Sequence, residues 1–188
     1  MANVAVSERG KTREKLTKAA TILFYEQGVG NTTLADVSAA SGVPLGNIYY
    51  HFKTKDELTE AVIQRRSEAL RATFASAENE TTPLAKLLVI VNDSRNRSEA
   101  LSRYGCPYAS LASDLDKLGS EHDAAQLLRL YLDYAEEQFR ALELAEPRAL
   151  SGEFVGRLQG AHVLTHALKS EEALYEQLDR LEAWLKSL

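Results

Sequence analysis

Residues 44–55, Pro-Leu-Gly-Asn-Ile-Tyr-Tyr-His-Phe-Lys-Thr-Lys, gather an amide, two phenols, an imidazole and two ammonium groups. These are groups that hydrogen-bond to base edges and pair with phosphates, rather than a nucleophile beside its base. Their spacing is helical. Ile48 and Phe52, four apart, share a face that points into a core, which leaves Gly46, Asn47 and Tyr50 outward and Leu45, Tyr49 and His51 on the shoulders. Pro44 opens this helix, since proline lacks only an N–H that has no partner in a first turn. A helix of about two turns, polar and aromatic outside, suits a major groove.

The preceding residues must position it. Thr33 is a helix N-cap, and Asp36 three residues on completes a capping-box pattern ahead of Val37 and Ala40, so a helix starts near Leu34. Gly42 supplies a left-handed end to that helix, and Val43 plugs the angle as the chain turns. Upstream, Leu16, Ala19, Ala20, Leu23 and Phe24 repeat as one helical face ended by Gly28, a support for the pair. Thr54 and Glu57 form a second capping pattern, opening a helix over about 55–77.

The run from Gly42-Val43 through Gly46, Ile48-Tyr49-Tyr50-His51-Phe52, Lys53 and Lys55 closely resembles the helix-turn-helix of TetR-family transcriptional regulators. GNIYYHFKTK is similar to the family's recognition-helix signature, and Pro44 stands where many members carry a small polar residue. GCPYASLASDL further on resembles a segment of one subgroup, in which Gly-Cys opens a helix. The resemblance implies a homodimer binding a palindromic double-stranded DNA operator and released by a small-molecule effector. It places DNA contacts at Thr33, Pro44, Leu45, Gly46, Asn47, Tyr49, Tyr50, His51 and Lys55. Thr33 and Lys55 are expected on phosphates, Leu45, Asn47 and Tyr49 at base edges, and Gly46 where the backbone comes close.

Beyond residue 60 the sequence reads as further helices. Glu78–Pro83 is a loop, 84–97 a helix, Gly105-Cys106-Pro107 a break, and 108–118, 124–144, 152–169 and 171–188 helices, with Pro147 ending one of them. No useful strand alternation occurs, so the fold is all-α with about nine helices. The reader is assigned to 1–55 and an effector-binding and dimerisation domain to 56–188.

Charge follows this division. The 188-residue chain carries −5 overall, but residues 1–55 hold seven Lys/Arg against four Asp/Glu, a net +3. The remainder therefore carries −8. The basic stretch Arg9–Lys18 also fits an ordinary solvated face. With 45% hydrophobic and 26% charged residues, the composition is that of a globular protein. It predicts no membrane helix and no secretory signal. The single cysteine fits a cytoplasmic protein.

In the later helices Gly152, Gly156 and Gly160 recur every four residues, and Leu174, Leu178, Leu181 and Leu185 form a stripe. Gly156, Gly160 and the four leucines are expected in a dimer interface, with intrachain packing of the same helices as the alternative. Asn92, Tyr104, Cys106, Tyr108, Tyr131, Tyr134, Gln159, His162 and His166, with Phe139, suit an amphipathic effector pocket, although each alone also fits a core. Cys106 is open to two uses, a small buried hydrophobe or a redox sensor.

No paired Glu-x-x-His, zinc-site spacing, Gly-x-Ser-x-Gly or phosphate-cradling glycine loop occurs, so no cofactor, metal or enzymatic activity is expected. Open alternatives to a ligand-released repressor are an activator, a DNA-binding protein of the same fold without ligand gating, and a helical enzyme whose residues meet only in the fold.

Overall fold

The computed structural model describes residues 2–188, with side chains from Glu8 onward. The described residues form ten α-helices and no strand. In order they are α1 (Ala2–Gln27), α2 (Leu34–Ser41), α3 (Leu45–His51), α4 (Lys55–Ala77) and α5 (Pro83–Asn96), followed by α6 (Ser98–Tyr104), α7 (Pro107–Lys117), α8 (Gln126–Ala141), α9 (Pro147–Leu168) and α10 (Glu171–Ser187). None is long and apolar enough to cross a membrane.

The chain forms two compact units, Met1–Glu68 with Ser110–Ala124, and Ala69–Ala109 with Ala125–Leu188. Helices α4 and α7 each contribute residues to both. The division thus falls inside α4 rather than at its start, and the first unit recruits a segment from the middle of the chain.

The first unit holds the α2–α3 pair by local chemistry. Thr33 caps α2, its Oγ1 accepting from the Asp36 N–H at 3.1 Å while the Asp36 carboxylate accepts from the Thr33 N–H at 2.7 Å. Gly42 ends α2 at φ 68°, a left-handed conformation that glycine adopts without a Cβ penalty. The turn is then pinned. Ser38 Oγ donates to the Val43 carbonyl at 2.8 Å, the Val43 N–H donates to Ser41 Oγ at 3.2 Å, and the Val43 side chain is buried. Ile48 and Phe52 are fully buried, as are Leu16, Ala20, Val37 and Leu58 around them. Pro44 precedes α3 as its N-cap with an extended ψ of 140°, one position earlier than a first helical residue.

In the second unit α9 packs against α8, α10 and α6, and α5 against α8 and α10. Phe139, Phe154, Leu158 and Leu174 are fully buried at its centre. Two boundaries differ from the sequence reading. The helix α6 is additional, because Arg97 leaves helical geometry and serves as both the C-cap of α5 and the N-cap of α6. Pro147 opens α9 rather than stopping α8, which already ends at Ala141, as suits proline in a first turn.

Candidate nucleic-acid interface and a buried polar cluster

The first unit presents α3 on its surface. Leu45, Tyr49 and Tyr50 are 41%, 50% and 59% exposed, large values for side chains of this size, and Pro44, Gly46 and Asn47 beside them are exposed too. A Cβ added at Gly46 would meet nothing within 4 Å, so the chain's own packing does not require glycine there. His51 is half-buried, its ring edge-on to Tyr50 at 5.2 Å, with Nδ1 buried and unpaired. Burial, then the nearby Arg9 and Arg13 charges, hold its imidazole below the usual histidine range.

Those two arginines are the group that sequence reasoning missed. Arg9 lies 4.9 Å over the Tyr50 ring and Arg13 4.6 Å over Phe52, so α1 delivers two guanidinium groups to the flank of α3. The signal was present in the basic stretch Arg9–Lys18, but helical spacing alone does not distinguish a reading edge from a solvated face.

The two expected phosphate contacts have structural partners of their own. The Thr33 hydroxyl donates to Asp36 at 2.7 Å, and its bonds help hold the Asp36 carboxyl below its ordinary range. Lys55 Nζ donates to the Val29 carbonyl, leaving two of its three N–H bonds for other acceptors. Burial lowers the lysine's pKa, against the opposing carboxylates of Asp36 and Asp56. The Val29 N–H in turn donates to Asp114 Oδ2 at 3.2 Å, so the segment 110–124 grips the loop between α1 and α2. His122 Nδ1 lies 3.1 Å from Glu60 Oε2 in the same unit.

The second unit contains a different polar group. Tyr108 and Tyr131 meet edge to face at 5.6 Å, and Phe74 lies 5.6 Å from Tyr131 and stacks on Tyr134 at 4.3 Å. Beside Tyr108 and Tyr131 sits Arg97, ion-paired with Asp93 one helical turn earlier. Burial alone would weaken the arginine's hold on its proton, but Asp93 and the two tyrosine hydroxyls raise its pKa overall. His162 Nε2 lies 3.0 Å from Ser94 Oγ, and burial followed by the Arg97 charge pushes this imidazole down to about 4, so it is neutral at pH 7. Four atoms of this unit are buried without a hydrogen-bond partner among the described residues: Arg97 Nε, His162 Nδ1, and both Nε2 and Oε1 of Gln159.

Of the expected effector residues, Cys106, Tyr108, Tyr131 and His162 thus gather around Arg97, with Gln159 one turn before His162 on α9. Others lie elsewhere. Asn92 is on the exposed side of α5. The Tyr134 hydroxyl donates to Glu78 at 3.0 Å, and its pKa is raised by burial and by that carboxylate. His166 Nδ1 lies 3.1 Å from Lys169 Nζ and 3.3 Å from the Ser102 carbonyl, at the far end of α9. Tyr104 ends α6, with Arg103 5.3 Å over its ring. No group of three His, Cys, Asp or Glu side chains suited to a metal occurs among the described residues.

The leucine stripe requires a correction. Leu174, Leu178, Leu181 and Leu185 are all buried within the chain, because α10 must cover its one apolar face and does so on α9 and α5. The exposed face is instead that of α9, where Gly152, Gly156, Gly160, Leu164 and Leu168 recur every four residues, with Val163 alongside. Leu168 and Val163 are each 64% exposed, and a Cβ at any of these glycines would meet nothing within 4 Å.

Residues 16–62 match the family model described as bacterial regulatory proteins, tetR family. The chain is 38% identical over 100 residues to the HTH-type transcriptional regulator TtgR of Pseudomonas putida, a match covering 48% of each chain. It is 29% identical over 124 residues to the HTH-type transcriptional repressor DhaR of a Mycobacterium species, covering 65% of this chain and 61% of that one. The aligned region spans about half the length of the first of these relatives. A solved TetR-family regulator from Streptomyces coelicolor superposes with a TM-score of 0.81 at 18% identity, covering 95% of this chain and 96% of the other. One from Chloroflexus aurantiacus superposes with a TM-score of 0.79 at 22% identity, covering 96% of both chains. At these identities the likeness shows the fold, and the matched segment is the one that builds the exposed α3. Residues 16–62 are thus similar to the tetR-family DNA-binding segment, and the described residues share the fold of solved TetR-family regulators.

Proposed function

We propose that the protein is a cytoplasmic, ligand-responsive transcriptional repressor that binds a palindromic operator as a homodimer and lets go when a small molecule binds its second unit. The observation that carries the DNA-binding reading is α3: its apolar residues are sunk in the core while Leu45, Gly46, Asn47, Tyr49 and Tyr50 stand free beside Arg9 and Arg13. Asn47, Tyr49 and Leu45 read base edges; Lys55, Arg9 and Arg13 neutralise phosphates, and Thr33 serves chiefly to cap α2. The names of the relatives, regulators and repressors rather than enzymes, support the same reading.

A single α3 offers about two turns of contact, and two such helices reach successive major grooves, roughly 34–36 Å apart, when a two-fold dimer presents them. The glycine and leucine face of α9 is the surface we assign to that dimer. Ligand gating is supported by the course of α7. Its first turn holds Tyr108 among the aromatics of the second unit, and Asp114, about two turns on, accepts the Val29 N–H next to the reader. A ligand that repacks Tyr108 moves the acceptor that steadies the α1–α2 loop and favours a reader geometry that no longer matches the operator.

Footprinting on the DNA flanking the protein's own gene tests the whole reading, with a protected inverted repeat as the expected result. Gel-shift titrations at several salt concentrations test the division of roles. Lys55→Ala, Arg9→Ala and Arg13→Ala should weaken binding to every sequence and flatten its salt dependence, whereas Tyr49→Ala should erode discrimination between operator and random DNA. Equal loss of specificity in all four variants would refute the assignment.

A further inference from the structure

Several buried polar atoms of the second unit have no hydrogen-bond partner among the described residues. A buried donor or acceptor without a partner is destabilising, and most native buried polar groups find one. Gln159 leaves both ends of its amide unpaired, and His162 Nδ1 and Arg97 Nε are unpaired nearby. The grouping is not scattered. Gln159 and His162 lie three apart on one face of α9, and the contact of His162 with Ser94 joins that face to the last turn of α5, which Arg97 caps.

We infer that this cluster recognises an uncharged molecule carrying a hydrogen-bond acceptor and donor side by side on a ring framework, in chemical terms a carboxamide or cyclic imide. As the ligand that works the switch, it rests on the ligand-gated reading above. Charge sets the first part of the assignment. The Arg97 guanidinium is already answered by Asp93, four residues earlier in α5, and the His162 imidazole is neutral, so an anion or a cation entering here would lose its hydration without meeting an unpaired opposite charge. Hydrogen bonding sets the second. An amide edge offers one N–H and one C=O in a fixed plane, and a ligand with the complementary pair satisfies both in one approach. His162 Nδ1 and Arg97 Nε remain for a further polar atom. The ring framework follows from Tyr108, Tyr131 and Phe74, rings that pack edge to face and lie buried in the same unit, where an aromatic neighbour extends the same packing.

Four probes of one shape and different head groups test this on the full chain: benzamide, benzoate, benzamidine and toluene, by calorimetric titration and thermal unfolding. Benzamide should bind about tenfold or more tightly than benzoate or benzamidine and raise the melting temperature. In Gln159→Leu its affinity should fall about tenfold while that of toluene holds. The variant without probe should melt at or above the parent, since it sheds two unpaired polar atoms. Three outcomes would overturn the inference: no benzamide binding, benzoate or benzamidine binding equally well, or a Gln159→Leu variant that melts several degrees lower with benzamide affinity unchanged. The last would assign the glutamine to ordered water and a structural role. Gating is read separately. Benzamide binding that depends on Gln159 but leaves operator affinity unmoved would keep the site and refute the ligand-gated switch.

Discussion

Helix α3 and the Arg97 cluster both present polar groups left unpaired among the described residues, but the side chains of one set stand in water whereas the unpaired atoms of the other are buried. Water satisfies the exposed Asn47 and Tyr49, and in the proposed function DNA takes its place, so this surface places little demand on the fold. Gln159, His162 and Arg97 have no such substitute, and their presence is a standing loss of stability that only a bound molecule or ordered water removes. Substitutions in the first set should therefore change binding without touching stability, and those in the second should change both in opposite directions.

The largest effect sharpens the same contrast between buried and open faces. Leu181→Glu should cost about 4 kcal/mol or more, because it empties a core position and buries an unpaired carboxylate, whereas Leu168→Glu should stay folded and yield monomers. Thermal unfolding with light scattering separates the two, and a folded monomer from Leu181→Glu would move the partner surface to α10.

Next is the pH response of the sealed set. The His162 imidazole titrates near 4 in the folded chain against its ordinary 6.5, so the unfolded chain takes up the proton first. Stability fully present above pH 6.5 is lost as the pH falls towards 4, by about 3 kcal/mol at the low end. Urea titrations across that window should show the decline, and His162→Gln should flatten it relative to the parent.

On the open side, Tyr49→Ala should lower discrimination for operator by about 1–3 kcal/mol while moving stability by no more than about 0.5 kcal/mol. A stability change larger than the change in binding would break the comparison. Smallest is Gly46→Ala, expected to raise stability by up to about 1 kcal/mol, since its Cβ meets open space, and still to weaken operator binding where the DNA backbone approaches.

These two regions also differ in how far the sequence reveals them. The Thr33–Asp36 cap, the left-handed Gly42, the plug at Val43 and the buried pair Ile48 and Phe52 are set by neighbours a few residues away, so their spacing suffices to find them. Arg97 is set by tertiary context. It reads as an exposed charge at the end of a helix and becomes the hub of a buried cluster only when α5, α7, α8 and α9 come together. The α10 leucines illustrate the reverse error. Periodicity identified an apolar stripe but not what covers it, and the chain's own α9 and α5 take it first. The helix α6 escaped notice because its seven residues follow α5 without a glycine or proline between them.

The grip of Asp114 on the Val29 amide means that the reading module is not a cassette. It is stitched from two stretches of chain, and excision at residue 68 would remove 110–124, leaving an almost fully buried residue with an orphaned N–H. Swapping readers between relatives by a single crossover would therefore pair a loop with a foreign acceptor. Productive chimeras should exchange the α1–α2 loop and the second half of α7 together, and recombination in nature should be expected to keep them in step.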